Sequence, residues 1–63
     1  MYALMLLDRA DLLDEFDTLA AAEAALARLV EGEPALVEVA GVVPLDARGR
    51  PAGEPIRPRV GIL

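Results

Sequence analysis

Seven residue types are missing from this chain: cysteine, histidine, lysine, serine, asparagine, glutamine and tryptophan. Without cysteine there is no disulfide. Without cysteine and histidine, zinc, iron and copper sites lose their main ligands. The serine, cysteine and lysine nucleophiles of covalent catalysis are gone, and so is the imidazole that would activate one. Thr18 is the only hydroxyl residue besides Tyr2, and it stands where a helix needs a cap. The expectation is a chain with no catalytic, cofactor-binding or metal-binding residues, and not an enzyme. Depletion of the thermolabile Asn, Gln and Cys fits a protein kept at high temperature. Arginine as the only base, with abundant Ala, Val, Gly and Pro, fits a GC-rich genome, so a thermophilic bacterium is the expected source.

Positive charge is also scarce. The net charge is −5, which argues against direct nucleic-acid binding, because such proteins neutralise phosphates with Lys and Arg. Residues 1–33 hold eight acids and two bases, net −6, while residues 34–63 hold three acids and four bases, net +1. Long apolar runs are absent too. Nothing approaches the roughly 20 residues of a membrane-spanning helix. The apolar stretch Met1–Leu7 lacks the charged flank and length of a targeting segment, so a cytoplasmic protein is expected. A chain of 63 residues is one domain at most, and domains of this size bury only about 60% of their unfolded surface. With disulfides and metals set aside, close packing and oligomerisation remain as sources of stability.

What is present reads as alternating short elements. Tyr2–Leu7 is an apolar run of strand length. Tyr2, Leu4 and Leu6 share one face and Ala3, Met5 and Leu7 the other, so this strand asks for cover on both sides. Asp8-Arg9-Ala10-Asp11 is a polar break, and Leu12–Phe16 reads as the second strand of a hairpin. A rival reading joins Asp8 to Glu31 as one helix, since Leu12, Phe16 and Leu19 also recur at helical spacing. Asp17-Thr18 favours the hairpin, because both are good caps placed just before an Ala-rich segment. Leu19–Glu31 holds six alanines and is the predicted helix. Leu19, Ala22, Leu26, Leu29 and Val30 form its apolar stripe, and Ala21, Ala25 and Arg28 its small outer face. Gly32 is the predicted left-handed cap residue, with Pro34 blocking continuation.

Ala35–Asp46 is rich in valine and reads as the third strand. Val37, Val39, Val43 and Leu45 lie on one face and Leu36, Glu38, Ala40 and Val42 on the other. Gly41 marks a bulge or a close backbone approach, and Pro44 an edge or bend. Residues 46–51 form a turn with Gly49 available for positive φ. Ala52–Ile56 is a weak last strand, and residues 57–63 an extended tail beyond a single domain at 1–56. The expected fold is therefore α+β, in the order β-β-α-β-β, with one helix packed on one face of a small antiparallel sheet. One helix leaves the other sheet face open, and two strands that look apolar on both faces make that face a candidate homodimer surface.

Two clusters invite a chemical reading. Asp8, Asp11, Asp14 and Asp17 recur every third residue with Glu15 among them, and carboxylates are the ligands that calcium and magnesium prefer. In a hairpin these residues fall on different faces, and no EF-hand pattern accompanies them, so turn residues, a cap and a solvated acidic edge are the plainer reading. Arg48 and Arg50 flank Gly49 outside any strand-to-helix phosphate loop. They read as the soluble tip of a hairpin first, and as a place for an anion or a neighbour's acidic half second. The helix has no basic amphipathic face for a membrane surface.

Phe16-Asp17-Thr18-Leu19-x-x-Ala22 closes a strand and opens a helix. It resembles the sheet-to-helix segment of small HicB-like antitoxin domains and of many small bacterial α+β proteins. That resemblance implies a three- or four-stranded sheet with one helix, an oligomer, and a role in neutralising a small RNA-cleaving partner. The glycine- and proline-bearing sheet motif of that family has no counterpart between Leu7 and Phe16, and no functional residue carries over. The expected function is a non-enzymatic structural or protein-interaction module acting as a homodimer. The alternative is an antitoxin-like regulatory subunit whose acidic surface meets a basic protein partner.

Overall fold

Tyr2–Leu6 forms the first strand, β1, in a computed structural model that describes residues 1–58. The expected extended tail therefore lies outside the described residues, except for Arg57 and Pro58. The chain turns at residues 7–10 and returns antiparallel as β2, Asp11–Phe16. In the turn the Arg9 N–H donates to the Leu6 carbonyl at 3.3 Å, and Ala10 takes a left-handed φ of 54°. The expected hairpin is present, and the rival single helix from Asp8 to Glu31 is not. The pairing is irregular at one place. Leu4 faces Asp14 and Met5 faces Leu12, so Leu13 is an extra residue in a β-bulge.

Helix α1 spans Leu19–Gly32. Thr18 caps it as expected: its backbone is extended, and its Oγ1 accepts from the Ala21 N–H at 3.1 Å. A cap of this kind contributes about 1 kcal/mol. Ala22 and Leu26 are buried at the centre of the predicted stripe, with Leu19, Leu29 and Val30 packed beside them. Ala25 also packs on the core rather than lying on the outer face. At the C-terminus Gly32 stays within the helix. The cap is Glu33, whose N–H donates to the Leu29 carbonyl at 2.9 Å while its own φ is −137°. Pro34 alone is enough to end the helix, so no left-handed glycine is required.

The next segment corrects the expected strand. Pro34–Glu38 is a 3-10 helix, and the third strand, β3, covers only Ala40–Pro44. Proline's fixed φ suits the start of a helical turn. The turn then closes through Leu36 N–H to Glu33 O at 2.9 Å and Val39 N–H to Leu36 O at 3.0 Å. These local bonds prevail over the β-propensity of Val37 and Val39. β3 pairs antiparallel with β1, giving the sheet order β2-β1-β3 with β1 at the centre. The expected fourth strand at Ala52–Ile56 is a second correction. That segment makes only isolated bridges, Val42 with Ile56 and Leu45 with Pro51. Pro51 and Pro55 cannot donate to a ladder, which keeps the segment from becoming a strand. Among the described residues the order is β-β-α-β, with a three-stranded antiparallel sheet.

The core lies between α1 and one sheet face. Leu4, Ala22, Leu26, Ala40 and Val42 are buried there, with Tyr2, Leu6 and Phe16 packed against them. No polar or charged side chain is buried among the described residues. No helix among them is long and apolar enough to cross a membrane.

Candidate interaction surface

Residues paired across neighbouring strands project to the same side of a sheet. Tyr2, Leu4 and Leu6 point to α1, so Ala3 and Met5 lie on the opposite face. Their partners lie there too: Glu15 and Leu12 on β2, Val43 and Gly41 on β3. Leu7 is drawn over Gly41, where an added Cβ would stand only 2.8 Å from Leu7 Cδ1 and 3.2 Å from the Ile56 carbonyl oxygen. The predicted close approach at Gly41 is thus found. No second α-helix lies among the described residues, yet Ala3 and Val43 on this face are only 1% and 5% exposed, so its centre is buried within the chain and its exposed part lies towards Leu12 on β2.

The bulge decides how apolar the face is. In a regular strand Leu12 would share the side of Asp14 and Phe16. The extra residue at Leu13 resets the alternation and places Leu12 opposite Met5 instead. Leu12 is 54% exposed, Leu13 45% and Met1 51%, the large apolar side chains that stand out most from the described surface. Single exposed apolar residues need no explanation, but Leu12 and Leu13, adjacent in sequence and beside half-buried Met5, do.

The end of this face near Met1 is polar. The Leu45 N–H donates to the Met1 carbonyl at 2.8 Å, which leads the chain from β3 into the turn at 46–50. There Gly49 takes a φ of 79°, as expected, and its N–H donates to the Asp46 carbonyl at 3.0 Å. The Asp46 Oδ1 accepts from the N–H groups of Arg48 at 2.8 Å and Arg50 at 3.0 Å. Those donors, Arg50 first and then Arg48, hold the Asp46 carboxyl below its ordinary range. With Asp46 engaged by its own backbone, the turn carries two exposed arginines, Arg48 and Arg50. A shallow recess of about 360 Å³ joins this turn to Glu15, lined also by Met1 and Leu45.

The acidic series is not gathered. Asp8 lies in the first turn, Asp11 and Asp14 sit on β2 in register with Leu6 and Leu4, and Asp17 lies between β2 and α1. The Asp14 Oδ1 accepts from the Glu15 N–H at 2.8 Å. Among the described residues no group of three or more carboxylates is placed to hold a metal ion. A groove of about 540 Å³ runs between α1 and residues 56–58, with Leu26, Val30, Ile56 and Pro58 as its apolar lining. Glu23 and Glu31 on its rim are eight residues apart on one helix, about 12 Å along its axis. That separation is too great for two carboxyls to share a proton. Sequence reasoning missed the bulge that sets Leu12 opposite Met5 and the nearness of Glu15 to the 46–50 turn. No family model, no curated protein and no solved structure matches the chain.

Proposed function

We propose that this protein is a non-enzymatic interaction module that self-associates through the exposed apolar residues of β2, at the margin of the sheet face away from α1. The observation that carries this reading is exposed Leu12, set opposite half-buried Met5 on the sheet face away from α1, with exposed Leu13 next to it in the bulge. Folded polar chemistry is scarce by comparison: the core holds no buried polar side chain among the described residues. Sedimentation equilibrium over a wide concentration range tests the reading. The expected result is a mass that rises from 6.7 kDa towards twice that value, and a Leu12→Asp, Leu13→Asp variant that remains at the lower value while still folded. A wild-type mass that never rises would refute it.

One feature favours a second reading. β2 is an edge strand whose exposed Asp11, Asp14 and Glu15 present negative charge along unpaired backbone. That edge suits a basic protein partner of the kind an antitoxin-like subunit meets. Co-purification of one small basic protein with the native chain, released by salt, separates this reading from self-association.

A further inference from the structure

We propose that residues 51–58 are a latch that shuts the β3 edge of the sheet against strand addition, and that its release lets that edge pair with the same edge of a second copy. β2 and β3 are the two outer strands of the sheet, and an outer strand offers unpaired backbone to other chains. The two are protected differently. β2 carries Asp11, Asp14 and Glu15, which blunt it by charge. β3 is Ala40-Gly41-Val42-Val43-Pro44, with no charge. Two copies of such an edge meet without like-charge repulsion, so it is the one that needs a cover.

Which groups the latch covers follows from the pairing. The Leu7 N–H donates to the Val39 carbonyl, and the Leu45 N–H to the Met1 carbonyl. The odd-numbered residues from Val39 to Leu45 therefore turn their backbone groups to β1, and the even-numbered ones turn theirs outward. Val42 exchanges both of its bonds with Ile56, at 2.9 and 2.7 Å, and the Pro44 carbonyl accepts from the Ala52 N–H at 2.8 Å. Pro44 has no N–H to satisfy. Ala40 and Val42 are 0% exposed, so a passing strand finds no edge there while the latch is seated.

The latch is itself unfit to be extended. Ala52 and Ile56 point their N–H groups inward. Pro51 and Pro55, next to them, stand where outward N–H groups would be, and proline has none. The register is also broken. Val42 and Pro44 are two positions apart, while their partners Ile56 and Ala52 are four apart. The additional residues bulge the latch and spoil its outer side for a regular ladder. Its attachment is narrow. Ile56 packs on the core, the Arg57 Nη1 donates to the Glu38 carbonyl at 2.7 Å, and residues 51–55 are exposed. A segment held by so few buried contacts opens at a lower free energy than the whole fold.

Hydrogen exchange on the wild-type chain tests the opening. The Val42 amide is covered by Ile56, whereas Val43 is paired with Ala3 on β1. Relative to their intrinsic rates, the Val42 and Ile56 amides are expected to exchange roughly tenfold faster than the Val43 amide. Equal rates mean that the edge opens only with the whole sheet, and overturn the latch. Edge pairing is tested in the Leu12→Asp, Leu13→Asp background, which removes the β2 contact proposed above. There Ile56→Ala with Arg57→Ala is expected to speed Val42 exchange further and to give sedimenting species above 6.7 kDa, with the circular dichroism of a folded chain. If that variant does not fold, Arg57→Ala alone takes its place, since its side chain is exposed. A folded variant whose Val42 amide is fast but whose mass stays at 6.7 kDa overturns the pairing of released edges.

Discussion

Replacing Ala10 with glycine should stabilise this protein, although the same replacement usually does the reverse. Ala10 sits in the β1–β2 turn with φ at 54°. An L-residue with a Cβ pays roughly 1–2 kcal/mol for left-handed backbone. Ala10 is exposed, so its methyl group contributes little packing. Glycine removes the strain and gives back roughly 0.4–1 kcal/mol through its looser unfolded chain. The expected net gain is about 0.5–1 kcal/mol. In a domain of this length it raises the midpoint of thermal unfolding by roughly 2–8 °C. Ala24→Gly is the matched control: Ala24 is also exposed, but it lies within α1. There glycine costs about 1 kcal/mol, so the midpoint falls. Circular dichroism melts at one fixed protein concentration measure both, because self-association makes the midpoint concentration-dependent. If Ala10→Gly lowers the midpoint as Ala24→Gly does, the turn is not strained and the reasoning fails.

Other perturbations have equally definite signs. Gly41→Ala should cost about 1–3 kcal/mol through overpacking. The Leu7 tip can swing aside, but the Ile56 carbonyl is backbone that accepts from the Val42 N–H at 2.9 Å; an unchanged urea midpoint would show that the site has slack. Asp46, held below its ordinary value of 3.8 by the N–H groups of Arg50 and Arg48, stabilises the fold above that pH. Its contribution disappears as pH falls through 3.8 towards the lower folded value. The stability advantage of wild type over Asp46→Asn should therefore shrink on acidification, and a gap that is flat from neutral pH to pH about 2 would contradict the assignment.

The elements that were legible in the sequence are those in which local chemistry and tertiary packing agree. Thr18, the alanines and the Leu19–Val30 stripe all favour the same helix. The hairpin was legible because Asp8–Asp11 interrupts two apolar runs. The failures occur where one level overrides another. Val37 and Val39 favour a strand, yet Pro34 starts a helical turn that closes on itself before Ala40. Ala52–Ile56 has strand-like spacing, but its flanking prolines remove the donors a ladder needs. The bulge at Leu13 was invisible for a different reason. Leu12 and Leu13 are the same residue type, so the pattern cannot say which of them is extra; the return of Phe16 to the core decides it. The apolar character of both sides of β1 was legible, and Ala3 on the side away from α1 is buried as fully as Leu4 on the other. The nearness of Glu15 to the 46–50 turn was not legible, because it follows from the pairing of β1 with β3 and the Leu45-to-Met1 bond that continues it, contacts between residues far apart in sequence.

The central place of β1 also governs the order in which the protein can be made. The strand synthesised first needs two neighbours, and they lie at very different distances along the chain. Its hairpin partner follows within a few residues. Leu4 and Val42 are 38 positions apart, and closing a loop of that length adds entropy that the hairpin does not face. The hairpin and α1 can therefore form while one flank of β1 stays bare, and docking of β3 completes the sheet. During that interval the nascent chain exposes the flank of its most apolar strand, so a substitution that delays β3 favours mispairing between chains before it lowers the stability of the finished fold.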